Sequence, residues 1–260
     1  MKLAITGKGG VGKTTLSAVL SHLFVQDGRK VIAVDADPDA NLAQALGMTP
    51  SEIESIKPIS DMADLIEERT GARPGSSAKV FRINPKVDDI PEGFGHKVNG
   101  VTLLIMGKSK LAGSGCYCPE NVFLKRLLKH LVLERDEVVI VDMEAGIEHL
   151  TRGTSEAVDA MIVVVEPGKR SVQTAHAVKD LAAQMGVKNI FVVVNKVRGD
   201  EDIAFIGKEL FDMNILGHIK LDTSLMDADL HGEPPFARDS DAVESIKQIK
   251  TALHNFVPAL

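Results

Sequence analysis

The chain has 260 residues, 44% hydrophobic and 25% charged, with 30 basic against 36 acidic side chains and a formal net charge of −6. That balance excludes a disordered chain and argues against nucleic acid or an anionic membrane as partner. No apolar run approaches the roughly 18 residues of a membrane span, and two cysteines cannot build a disulfide framework. A Gly-rich loop begins at Gly7, directly after the first apolar run, which leaves no room for a signal peptide. A cytoplasmic protein is expected.

Short β-branched runs at 2–6, 30–35, 101–106, 137–142, 160–165, 190–195 and 215–220 predict strands. Longer stretches at 13–26, 119–133, 171–185, 200–211 and 239–256 predict helices. Their alternation predicts βαβ crossovers in an α/β fold. The expected architecture is one domain over 1–260, a doubly wound, mostly parallel sheet with helices on both faces. The rhythm breaks between 49 and 100. A helical piece at 60–68 is followed by a Gly/Pro-rich stretch at 71–100, where a functional loop and a short helix or hairpin both remain open.

Gly7-Lys8-Gly9-Gly10-Val11-Gly12-Lys13-Thr14 matches GxxxxGK[ST] between a predicted strand and a predicted helix. Glycines at 7, 9, 10 and 12 let backbone N–H groups turn inward as an anion nest, and the following helix adds its positive end. Gly9, Gly10, Val11, Gly12, Lys13, Thr14 and Thr15 are therefore the expected nucleotide-binding residues. Lys13 reaches the β- and γ-phosphates of ATP, or the β-phosphate of ADP, and the Thr14 hydroxyl is a ligand for Mg²⁺. Lys8 comes too early to follow Lys13 into its own phosphates; it points outward or is a solvated surface charge.

GKGGVGKTT resembles the deviant Walker A motif of the MinD, ParA and nitrogenase iron-protein superfamily. The resemblance implies a P-loop ATPase in which Lys8 crosses a homodimer interface to the partner's nucleotide. It also implies that 35–41, Asp-Ala-Asp-Pro-Asp-Ala-Asn, is a switch in which Asp37 orients the attacking water and Asn41 lies near the phosphates. Asp39 reads better as a helix cap. The run Val138–Asp142 is Walker B-like, with Asp142 holding Mg²⁺ directly or through water and Gly146 marking a second switch. Asn195 offers an amide that can pair with adenine; a guanine-reading NKxD would need an acid where this chain has Arg198. Asp222 and 229–234 are similar, loosely, to a later base-contacting loop.

Both cysteines fall at Gly115-Cys116-Tyr117-Cys118-Pro119. Pro119 suits a first helical turn, which puts Cys118 at the N-cap, where the dipole favours the metal-binding thiolate. A Cys-x-Cys disulfide closes a strained ring, and buried inert thiols are the plainer alternative. Closed Zn²⁺ and square-planar Ni²⁺ sites want four ligands, and two chains meeting at this loop supply four sulfurs. Lys8 calls for the same symmetric dimer.

Together with Asp-Met-Glu-Ala-Gly-Ile-Glu-His-Leu-Thr-Arg-Gly at 142–153 and Lys-Val-Asp-Asp-Ile-Pro at 86–91, these motifs resemble the CooC-type ATPases over essentially the whole chain. The resemblance implies nickel (or zinc) held by Cys116 and Cys118 and supplied to a carbon monoxide dehydrogenase-type client. A maturation ATPase for acetyl-CoA synthase would carry a similar pattern. An iron-protein-like reductase would place its cysteines after two different strands, and the segment after Asp142 holds none; a [4Fe–4S] cluster held by a Cys-x-Cys pair from each subunit stays open. A MinD- or ParA-like positioning ATPase would need a basic tail or face, yet the last helix offers only Lys247 and Lys250 beside its stripe of Ile246, Ile249, Leu253 and Phe256. The eight histidines form no metal-spaced cluster; His149 alone falls in a switch segment.

Overall fold

In the computed structural model, which describes residues 1–76, 80–107, 118–145 and 158–256, each predicted strand forms. The strands are β1 (Lys2–Gly7), β2 (Val31–Asp35), β3 (His96–Val98), β4 (Val101–Ile105), β5 (Val138–Asp142), β6 (Ala160–Val165), β7 (Ile190–Val197) and β8 (Asn214–Lys220). They lie in the order β3-β4-β2-β5-β1-β6-β7-β8, parallel except for β3 with β4. The helices are α1 (Lys13–Gln26), α2 (Leu42–Ala45), α3 (Pro50–Ser55), α4 (Ala63–Thr70), α5 (Ile90–Phe94), α6 (Pro119–Leu133), α7 (Lys169–Gln184), α8 (Asp200–Glu209), α9 (Thr223–Leu230) and α10 (Asp241–Phe256).

A sheet covered on both faces needs strands that are apolar on both sides. In β6, Met161, Val163 and Val165 pack with α6, α7 and α8, while Ala160, Ile162 and Val164 pack with α1, α2 and α10. The layer order is thus helix, sheet, helix. α6 shows the period that builds such a layer. Phe123, Leu124, Leu127, Leu128, Leu131 and Val132 form one buried stripe, and truncating Phe123 to alanine would cost about 3–5 kcal/mol.

The segment 49–100 is more ordered than its sequence suggests. Thr49 and Glu52 form a reciprocal capping box at the start of α3. Beyond α4, the described residues of 71–100 include α5 and the antiparallel edge strand β3, which forms a hairpin with β4, so a short helix and a hairpin both occur within the stretch. Arg69 reaches both carboxylate oxygens of Asp89 at 3.0 and 2.8 Å, tying α4 to the start of α5. Elements of five and three residues are too short to print a period; Arg69 holds α5 from another helix, and β3 pairs with the adjacent β4 across the Asn99–Gly100 turn.

α10 packs against α1 and β8 through buried Ile246, Ile249 and Leu253. Phe256, expected on the same stripe, is 56% exposed but tilts onto Phe191 at 5.1 Å. Lys250 is drawn to Asp27 and the Leu23 carbonyl at the end of α1. Among the described residues no helix is long and apolar enough to cross a membrane.

Candidate functional site

The chain leaves β1 at the carboxyl edge of the sheet and turns directly into α1. Two glycines are sterically required there. A Cβ on Gly7, at φ +149, would stand 2.4 Å from the Val164 carbonyl oxygen of β6, and one on Gly12, at φ +98, would stand 2.2 Å from Asn195 Nδ2. Gly12 is the N-cap of α1, makes no side-chain cap, and is followed by no acid in the first turn. The first amides of α1 are therefore left for an anion.

Lys13 is 6% exposed, and its Nζ lies 3.4 Å from Asp37 Oδ2. The phosphate-loop cation and the acid expected to orient water are thus brought together. Asp37 Oδ1 accepts the Asp39 amide at 3.0 Å, closing a local turn. Asp35, fully buried at the end of β2, accepts the Asp37 amide on Oδ1 at 3.3 Å and the Leu42 amide on Oδ2 at 2.9 Å. Asp35 thus caps the start of α2. Asn41 occupies the N-cap position of α2, but its side chain donates back to the Asp39 carbonyl.

Asp35 and Asp142 are register partners at the ends of neighbouring strands. Burial pushes the Asp35 carboxyl up to about 6 despite the two amides. Burial pushes Asp142 up to about 7, against the pull of the Thr14 hydroxyl beside it and with a further upward push from Asp35. Neither oxygen of Asp142 has a protein hydrogen-bond partner at good geometry. A buried carboxylate left in this way next to a hydroxyl is a hard-oxygen donor set, and it fits Mg²⁺.

Asn195 does work that the sequence did not indicate. Its Nδ2 donates to the Val11 carbonyl at 2.8 Å and its Oδ1 accepts the Lys196 amide at 2.9 Å. Lys196, at φ +59, reaches the Gly10 carbonyl at 2.6 Å and Glu166 at 3.4 Å. Two consecutive residues of β7 thus pin two consecutive carbonyls of the phosphate loop. One N–H and one lone pair of the Asn195 amide remain beyond these two bonds.

A cavity of about 910 Å³ opens over the loop. Lys8, half-exposed, stands on its wall and makes no ion pair with a described residue. Gly9, Gly10, Gly12, Thr14 and Thr15 line it together with Asp37 and Asn41, whereas Val11 is buried beneath. A further part of the wall comes from Leu221, Leu225, Met226, Asp229 and Pro235, on and beside α9. Asp222 also lines the cavity, although its carboxylate is engaged in capping, accepting the Ser224 amide at 2.9 Å and the Ala242 amide at 3.2 Å. The apolar members of this wall were not legible in advance, because nothing in the sequence marks Leu221, Leu225 or Met226 as facing the loop rather than the core.

Cys118 is the half-buried N-cap of α6, with Pro119 in the first turn, as expected. Glu120, also in that turn, is buried with an unpartnered Oε2. Cys116 falls at 108–117 and Gly146 and His149 at 146–157, outside the described residues. Among the described residues no group of three or more His, Cys, Asp or Glu side chains gathers as a metal site.

A family model described as the CobQ/CobB/MinD/ParA nucleotide binding domain matches residues 2–236. An ATP-binding protein of Methanocaldococcus jannaschii is 48% identical over 251 residues, 96% of each chain. The carbon monoxide dehydrogenase accessory protein CooC of Rhodospirillum rubrum is 46% identical over 232 residues, 89% of this chain and 88% of its own. Among solved structures, the MinD cell division protein of Aquifex aeolicus superimposes with a TM-score of 0.67 at 23% identity, covering 98% of this chain and 97% of its own. MinD of Pyrococcus horikoshii, complexed with Mg-ADP, gives 0.64 at 19%, covering 95% and 93%. At these identities the structural likeness carries the fold.

Proposed function

The chain belongs to the CobQ/CobB/MinD/ParA nucleotide-binding domain family and is an ATPase, and from that premise we propose that it spends ATP to supply nickel to a carbon monoxide dehydrogenase-type enzyme. The observation that carries the ATPase half is the buried Lys13 at the head of an uncapped helix. The client half rests on the extent of identity with the CooC protein and on the Cys116–Cys118 pair.

In this reading the phosphates of ATP take the first amides of α1 and draw Lys13 from Asp37. Asp37, still held by its backbone, then accepts a hydrogen bond from the water that attacks the γ-phosphorus. Thr14 and Asp142 would hold Mg²⁺, which would neutralise charge on the phosphate oxygens. Asn195 and Lys196 keep the loop carbonyls turned away from the phosphates. Lys8 of the partner subunit completes the charge around the γ-phosphate, so hydrolysis is slow until two copies meet.

Nickel is cargo here, held by Cys116 and Cys118 from both subunits, and zinc would compete for the same sulfurs. Closing on ATP gathers four sulfurs, and hydrolysis leaves pairs that release the metal. Equilibrium dialysis with Ni²⁺ and Zn²⁺, with and without Mg-ATP, tests this. Nucleotide-dependent affinity that disappears in the double cysteine-to-alanine variant supports it. Affinity independent of both would contradict it. A related acetyl-CoA synthase client is accommodated by the same chemistry. The MinD- and ParA-like fold favours a second reading, a positioning ATPase, which co-sedimentation with anionic liposomes would reveal.

A further inference from the structure

Asp35 is a fully buried carboxylate that makes no ion pair with a described residue, an expensive arrangement unless both oxygens are occupied. They are. One accepts the Asp37 amide at 3.3 Å and the other the Leu42 amide at 2.9 Å, so a single side chain clasps both ends of the 37–42 segment. The Asp35 carbonyl accepts the Met106 amide at 2.9 Å, which locks its own main chain into the sheet.

Asp37 is restrained from two directions, by Lys13 on its carboxylate and by Asp35 on its backbone. Phosphate oxygens compete directly for Lys13. They do not compete for Asp35, whose partners are both backbone amides. When ATP takes the lysine, the grip of Asp35 is what keeps the Asp37 carboxylate aimed. We propose that Asp35 is a positioning residue for hydrolysis, acting through Asp37, and this rests on the reading of Asp37 as the water-orienting acid. Asp35 itself is fully buried and does not line the cavity.

Asp35→Asn keeps the volume but has one acceptor oxygen, and its NH₂ must face an N–H donor, so one clasp is lost; Asp35→Ala loses both. Misplacement of a reacting group on the ångström scale costs up to about 100-fold in rate. The expected result is a kcat lowered about 10-fold in Asp35→Asn and further in Asp35→Ala, with the KM for ATP and the Kd for ADP within about threefold of wild type. A merely structural role would lower ADP affinity and kcat together. The decisive experiment is the cycle of Asp35→Asn, Asp37→Asn and the double variant. If Asp35 acts through Asp37, adding Asp35→Asn to Asp37→Asn costs no further kcat. Multiplying losses, an unchanged kcat in Asp35→Asn, or a parallel fall in ADP affinity would overturn the proposal. An Asp37→Asn enzyme that hydrolyses like wild type would overturn the reading of Asp37 and this proposal with it, whereas multiplying losses remove this proposal alone. Should Asp35→Ala fail to fold, the asparagine cycle still decides.

Discussion

Lys13 Nζ and Asp37 Oδ2 stand 3.4 Å apart with their side chains 6% and 12% exposed, so the acid proposed to orient the attacking water is also the counterion of the phosphate-loop lysine. Asp37→Asn leaves that lysine buried without its carboxylate. The variant should lose about 1–3 kcal/mol of stability in the absence of nucleotide. Phosphate no longer has to displace a carboxylate, so the rise in Tm on adding Mg-ADP should exceed that of wild type. Thermal melts with and without Mg-ADP check both signs.

Lys8 stands on the cavity wall with no ionic partner among the described residues. Lys8→Ala should bind ADP like wild type, lose at least about 10-fold in kcat, and lose the rise of specific activity with protein concentration. Steady-state assays across a concentration series, beside analytical ultracentrifugation with ATP, measure this. Wild-type hydrolysis and dimerisation in the variant would end the trans-lysine account.

Burial raises Asp35 to about 6 and Asp142 to about 7. A carboxyl whose folded pKa is raised binds its proton more tightly in the native state, so its contribution to stability is complete below about pH 4 and is lost as pH rises through 6 and 7. In urea melts from pH 5 to 8 without Mg²⁺, this pair should remove a few kcal/mol of stability. Asp142→Asn should flatten that slope. Because a cation favours the carboxylate, the affinity for Mg-ADP should climb through pH 7 in wild type and not in the variant.

Much of this site is local in sequence and was therefore legible. β1, the glycine loop, Lys13 and α1 occupy one continuous stretch whose periodicity and turn chemistry agree, and Asp142 ends an unbroken apolar run. What sequence could not supply is which of several acids is engaged with what. Asp35, Asp37 and Asp39 are alike on paper, and only the return of the chain at Leu42 shows that Asp35 does the capping. The brace from Asn195 to Val11 spans 184 positions. The wall beside α9 depends on how β8 delivers the chain over the cavity, and α5 and β3 exist through Arg69 and β4 rather than through their own periodicity.

Cys118 at the head of α6 places one proposed metal ligand in each subunit, with Cys116 two residues before it. Four sulfurs from two chains link metal affinity to association. Sedimentation should show Ni²⁺ or Zn²⁺ shifting wild type to a dimer with one metal per two chains. A Cys116→Ala, Cys118→Ala double variant should ignore metal yet bind ATP. One tight metal per monomer would count against the shared site.

The most direct measurement is activation of a nickel-free carbon monoxide dehydrogenase-type enzyme by the nickel-loaded protein. The account predicts activation that needs Mg-ATP, needs both cysteines, and is lost in Asp37→Asn. Equal activation by the double cysteine variant, or none by a wild-type protein that binds nickel and hydrolyses ATP normally, would contradict it.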